Sequence, residues 1–154
     1  MMAAEMLADA GHHVTIAEQK PSLGRKFLMA GKSGLNLTKD EPVDAFYHAF
    51  NSEGLLPALQ DFGPVEVMGW AEDLEQRIFT GSSGRVFPKA MKASPLLRAW
   101  LARLRAKNVT FKTRWHWAGW KGDACLFETP EGAADVTPAV TVLAVGGALS
   151  LIHI

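Results

Sequence analysis

The sequence predicts an α/β fold, and three observations carry that prediction. The run from Met1 to Glu18, MMAAEMLADAGHHVTIAE, begins with an Ala/Leu/Met-rich helical stretch from Met2 to Ala10. Gly11 stops it, His13 to Ala17 alternates into a short strand, and the strand ends on an acid, Glu18. A strong helix pattern opens at Ser94-Pro95 and runs to Lys107. Val140 to Val145 is an apolar run of the buried-strand kind, closed by Gly146-Gly147. A dinucleotide-binding unit needs a strand, a glycine-rich turn, a helix, a second strand and an acid for the ribose hydroxyls. Everything after the turn is present, and the turn is expected just before Met1. The chain therefore reads as a partial Rossmann-like domain lacking its first strand and glycine turn, and as an internal fragment.

The elements between these landmarks follow from local chemistry. Lys20 to Asp40, KPSLGRKFLMAGKSGLNLTKD, reads as a Gly/Ser/Lys-rich connection, too polar and too long for a simple turn. Val43 to Phe50 reads as a helix after Pro42. Ser52 to Phe62 and Pro64 to Glu75 read as two more, broken at Gly63-Pro64. Gly81 to Pro88, GSSGRVFP, reads as a turn-rich loop. The helix that follows takes Ser94 as N-cap and Pro95 as first residue, with Leu97, Trp100, Leu101 and Leu104 as its apolar stripe and Asn108 as its end. Val109 to Thr113, Trp115 to Trp120, Ala124 to Thr129 and Ala134 to Val136 read as strands, the last ones joined by Gly-Asp and Glu-Gly turns.

Composition fits one folded domain. A chain of 154 residues with 48% hydrophobic and 21% charged residues can bury a real core. Sixteen basic residues balance sixteen acidic ones, so no global field favours nucleic acid or a membrane surface as partner. The single cysteine, Cys125, excludes an internal disulfide and suits a reducing compartment, so a cytoplasmic location is expected. No stretch is long and apolar enough to span a bilayer, and the first ten residues, with Glu5 and Asp9 and no basic region, are not a signal peptide.

The order helix, strand, long crossover, helix, strand, short meander, strand is the wiring of a two-dinucleotide-binding-type FAD domain. At LGRKFLMAGKSGLNLT, GSSGRVFPKAMKASPLLRAWLARL and VTVLAVGG the chain resembles the HI0933-like (BaiN-type) NAD(P)/FAD-dependent flavoproteins. The first segment is similar to that family's GRK-hh-(S/A)-G-x-G-x-x-N-x-T stretch. The last is similar to a strand ending in Thr-Gly-Gly, with Val145 where the family usually has Thr. The resemblance implies an N-terminal FAD domain carrying an inserted substrate domain, most of which would follow Gly147. Residues 1–148 would form a partial FAD-binding domain, with a crossover at 19–93 and a β-meander at 114–137. Residues 149–154 depart from the family and read as an atypical tail.

The expected cofactor-binding residues follow. Taken alone, Glu18 reads better as a solvated strand-end acid. With Ala4 at the small position of the helix before it, it reads as the ribose-binding acid, which would also repel a 2′-phosphate. Gln19 and Lys20 are grouped with it. Gly24, Gly31 and Gly34 permit positive φ and close backbone approach to an anion. Arg25 and Lys26 supply charge near a pyrophosphate or flavin edge, and Ser33, Asn36 and Thr38 supply polar groups. Gly31-Lys32-Ser33 ends like a phosphate loop, but that motif needs a first glycine where Lys26 stands, so an NTPase is rejected. Arg85, ahead of Lys92 and the helix start at Ser94, is expected near cofactor or substrate, or else in a plain turn. Trp115, His116 and Trp117 read by themselves as a core-and-edge strand with one exposed ring; the resemblance implies that the start of this strand, at Trp115 and His116, offers its main chain to the adenine. Gly146 and Gly147 close the final strand.

No metal site is expected. His12 and His13 are adjacent and point to opposite faces on a strand, and His48 and Cys125 have no partners. No triad or carboxylate dyad emerges, which suits a flavin that carries the redox chemistry itself. The expected activity is hydride transfer from NAD(P)H to a small organic acceptor, by family analogy a conjugated C=C bond. The alternative is a non-catalytic nucleotide-binding or interaction fragment; an NAD-only reductase would leave the long basic crossover unexplained. If the glycine-turn strand is absent, the strands at His13–Ala17 and Val140–Val145 should run parallel, roughly 10 Å apart across an open groove, and the isolated chain should aggregate and bind no FAD.

Overall fold

In a computed structural model of the chain, residues 1–31, 34–50 and 53–146 are described. They fall into two units: Met1–Leu23 with the chain from Lys107 onward, and Gly24–Ala106.

In the first unit, helix α1 (Met2–Asp9) ends as its sequence requires. Gly11 takes φ +83°, its N–H donates to the Ala8 carbonyl, and the His12 N–H donates to the Leu7 carbonyl. That double reverse bond is a left-handed helix stop that glycine adopts without penalty. Strand β1 (Thr15–Glu18) follows and pairs in parallel with β5 (Thr110–Thr113), with Glu18 opposite Thr113. Asp9 and Lys107 form an ion pair beside it.

Strands β6 (His116–Lys121), β7 (Ala124–Thr129) and β8 (Gly132–Val136) form the expected antiparallel meander. A bulge between Trp117 and Gly119 absorbs a register shift, with Gly119 at φ +125°. Cys125 is buried on β7, and its Sγ lies 3.6 Å from Thr141 Oγ1.

The expected strand at Val140–Val145 does not form. The segment is irregular, and Val140, Val142, Leu143 and Val145 are 77%, 57%, 54% and 64% exposed. Apolar content alone does not make a strand; a neighbouring edge must take up its backbone groups, and no described strand pairs with this segment. The expected parallel pair bracketing a groove is therefore not observed.

The second unit contains α2 (Arg25–Ala30), β2 (Thr38–Lys39), α3 (Val43–His48), a 3-10 turn (Glu53–Leu55), α4 (Leu56–Asp61), α5 (Pro64–Asp73), β3 (Ile78–Thr80), β4 (Arg85–Pro88) and α6 (Ala93–Ala106). Two readings are corrected here. The stretch from Lys20 to Asp40 is not a plain connection, because it holds α2 and β2. The stretch from Gly81 to Pro88 is not a plain loop, because Arg85–Pro88 pairs with both β3 and β2. Pro88 tolerates its strand because it faces Ile78 at a non-bonded position: the ladder bonds run from Lys89 N–H to the Arg77 carbonyl and from Gly81 N–H to the Arg85 carbonyl. At the Gly63-Pro64 break, the Glu66 carboxylate accepts the Gly63 N–H at 3.0 Å and starts α5.

Helix α6 begins at Ala93, so Ser94 lies inside its first turn rather than capping it. Its buried residues are Ala93, Leu96, Leu97, Trp100 and Leu104, while Leu101 is only half-buried. Leu96 and Leu104 are fully buried with Val86 and Pro88. Trp100 meets Phe27 of α2 and Trp70 of α5 edge-on, at ring-centroid separations of 6.3 and 4.8 Å.

Candidate functional site

The expected site residues fall into both units, and each group has its own geometry. In the first unit the chain turns a tied corner after β1. One carboxylate oxygen of Glu18, Oε1, accepts the Lys20 main-chain N–H at 2.8 Å. The Glu18 carbonyl accepts the Trp115 N–H at 3.0 Å, and the Lys20 carbonyl accepts the Arg114 N–H at 3.2 Å. Arg114 reaches this position with φ +59°. Glu18 is therefore held at the carboxyl end of a parallel strand, the end at which α/β sheets bind ligands. Among the described residues Oε2 accepts no hydrogen bond, so the carboxylate retains acceptor capacity for hydroxyl donors. Gln19 beside it is exposed and Lys20 half-buried.

The same corner corrects the reading of Trp115. Its N–H is already spent on Glu18, and Trp115 precedes β6 rather than opening it. Its ring packs on Phe127 at 5.3 Å between centroids, with Lys112 Nζ 5.3 Å from its centroid. His116 is exposed, and its Nδ1 lies 3.2 Å from Oε2 of Glu128, its cross-strand partner. Gly146 is described, with φ +85°; Gly147 lies outside the described residues.

In the second unit, Gly24 and Gly31 bracket α2 and serve helix packing. A Cβ on Gly24 would stand 2.6 Å from Leu97 Cδ1, and one on Gly31 would stand 2.5 Å from the Ala93 Cβ. Both glycines thus let α2 lie directly on α6. Arg25 and Lys26 are exposed in the first turn of α2. Gly34 holds φ +125°, a backbone state reserved for glycine. Asn36 is exposed, whereas Thr38 is buried in β2 opposite Val86. Ser33 lies outside the described residues. Arg85 is exposed on β4, opposite Lys39. Two surface hollows, one lined by Glu72, Glu75, Gln76 and Arg77 and one by residues of α5 and α6, contain none of the expected site residues.

Residues 1–151 match the family described as the HI0933-like protein Rossmann domain. The chain belongs to the HI0933-like family. The motif resemblance to these flavoproteins and the α/β, Rossmann-type fold class are thereby established. A 3-dehydro-bile acid delta(4,6)-reductase of Clostridium scindens is 30% identical over 107 residues, which is 69% of this chain and 26% of that relative. The HI0933-like chain thus spans about a quarter of the reductase it matches. No helix among the described residues is long and apolar enough to cross a membrane.

Sequence reasoning missed the packing role of Gly24 and Gly31. The signal was available: glycines seven apart on either side of a Phe/Leu/Met segment lie on one helix face, two turns apart.

Proposed function

We propose that this chain is the FAD-binding portion of a flavin-dependent oxidoreductase that takes hydride from NAD(P)H and delivers it to a small organic acceptor with a conjugated C=C bond. The observation that carries the reading is the Glu18 carboxylate, fixed at the carboxyl end of β1 by the Lys20 N–H with one oxygen in reserve. A carboxylate offers only acceptors, and the adenosine ribose of a dinucleotide offers two vicinal hydroxyl donors, so the donor set fits. FAD, when bound, supplies the hydride chemistry. The protein's own part is binding and orientation. Glu18 holds the ribose, the Lys20 N–H keeps that carboxylate from swinging away, and the Trp115 N–H ties the backbone that carries it. The family membership and the reductase named among its relatives support the assignment.

The test is purification of the product of the full reading frame, followed by anaerobic mixing with NADPH and with NADH. A yellow protein whose flavin band bleaches with either donor, and recovers on adding an enone acceptor, is the expected result. A folded, colourless protein that takes up no added FAD overturns the reading in favour of a non-catalytic nucleotide-binding fragment.

A further inference from the structure

The connection from α2 to β2 runs alongside the connection from β4 to α6, and the two meet at three places in antiparallel order. Leu37 N–H donates to the Val86 carbonyl at 2.9 Å. A Cβ on Gly34 would stand 3.0 Å from Met91 Cε, and one on Gly31 would stand 2.5 Å from the Ala93 Cβ. Positions 37, 34 and 31 thus meet positions 86, 91 and 93 in turn. The outer two contacts are held by a backbone hydrogen bond and by the first residue of α6. The middle contact depends on one long, flexible side chain.

Met91 holds a backbone conformation that methionine does not favour. Its φ is +52°, and its N–H donates to the Pro88 carbonyl at 2.8 Å, closing the turn that leads from β4 towards α6. Glycine adopts this left-handed conformation freely, whereas a residue with a Cβ meets steric resistance. Burial does not account for a methionine here, because Met91 is 41% exposed. What its side chain has, and glycine would lack, is the reach to Gly34. Gly34 itself stands at φ +125°, so it cannot carry a side chain that reaches towards Met91. The contact can be made from one side only. An unbranched, polarizable thioether suits it, because such a chain moulds itself to an irregular surface. The next residue of the loop, Leu35, is buried.

We infer that Met91 is a positioning residue for the flavin: its thioether seats the Gly34 loop in the conformation that receives the cofactor, and the strained backbone at position 91 is retained for that contact. Sparsely populated backbone conformations persist where the surrounding structure enforces them, and they cluster at ligand clamps. Met91 acts through Gly34. The inference rests on the proposed flavin site only in naming the cofactor that the seated loop receives.

The experiment uses the product of the full reading frame, with and without FAD, as the parent, Met91→Gly and Met91→Leu. In flavin-free protein, Met91→Gly should melt at the parent's temperature or above it, because the backbone is relieved and little buried surface is lost. The same variant should bind FAD at least tenfold more weakly. Chymotrypsin should cut it after Leu35 at least fivefold faster, because cleavage follows the population of the opened loop. Met91→Leu keeps the apolar bulk and should bind FAD within threefold of the parent. Ordinary packing would move stability and affinity together, whereas a seat held by a strained residue moves them apart. A Met91→Gly variant that loses stability and affinity in parallel would overturn the inference. So would unchanged FAD affinity, unchanged cleavage at Leu35, or a Met91→Leu variant as weak as Met91→Gly. A protein that takes up no FAD in any form, yet is cut faster at Leu35 in Met91→Gly with its melting temperature preserved, would sink the flavin reading while leaving the seating of the loop by Met91 standing.

Discussion

The main-chain N–H of Trp115 donates to the carbonyl of Glu18 at 3.0 Å, so the start of the β-meander is stitched to the end of β1. This bond fixes the backbone of the residue on which the ribose contact depends, while the Lys20 N–H fixes its side chain. Position and charge are thus set by separate groups, and substitutions can separate them.

Glu18→Ala removes the carboxylate and leaves the Trp115 bond in place. FAD binding should weaken by about 1.5–3 kcal/mol, the range for hydrogen bonds to a charged group, which is roughly ten- to hundredfold in Kd. Titration of flavin-free protein reads the effect. A flavin analogue lacking the adenosine 2′-hydroxyl should lose less on Glu18→Ala than FAD does. Equal dissociation constants for parent and variant would remove Glu18 from the site.

Gly34→Val should abolish flavin retention while sparing secondary structure. The obstacle is conformational: Gly34 sits at φ +125°, and among the described residues the atom near a new Cβ is the flexible Met91 Cε at 3.0 Å. A β-branched residue cannot hold that backbone state, so the loop must rearrange. Circular dichroism and the flavin-to-protein absorbance ratio test this. A fully yellow variant would mean the loop only connects.

How much of this was legible in the sequence varied with the range of the interactions involved. Gly11, with an apolar helix before it and an alternating strand after it, carried its whole meaning locally. The meander was equally plain, since its Gly-Asp and Glu-Gly turns sit between alternating stretches. Leu96 was misjudged against Leu101 because a stripe drawn by spacing alone does not say which flank of it meets neighbouring elements. The β3–β4 hairpin was hidden by Gly81, Ser82, Ser83 and Gly84, whose loop chemistry masked the short strands on either side. Val140–Val145 shows the opposite error: strand-like content without a strand, because pairing depends on a partner that no local pattern encodes.

Leu104→Ala should destabilise the second unit by about 2–5 kcal/mol, since Leu104 is fully buried and its removal leaves a cavity. Leu101→Ala, at a half-buried position on the same helix, should cost clearly less. Chemical denaturation of both variants makes the comparison. Equal losses would place Leu101 in the core as the spacing first suggested.

The last prediction concerns the contact of α2 with α6. Gly31→Ala places a methyl group 2.5 Å from the Ala93 Cβ, a separation two carbon atoms do not tolerate, and neither group is a flexible chain end that can swing aside. The helices must part, and overpacking of this kind costs about 1–3 kcal/mol. Ala93→Gly removes the methyl group that is struck, at a cost of its own of up to about 1 kcal/mol for glycine in a helix. The two changes should therefore be strongly non-additive: in the double variant, Ala93→Gly should return part of what Gly31→Ala loses, giving a coupling energy well above the ~0.5 kcal/mol expected of independent sites. Denaturation midpoints of the parent, both single variants and the double variant supply the cycle. Additive losses would mean that α2 does not lie on α6 at Gly31, and that the glycine is there for the loop that follows it.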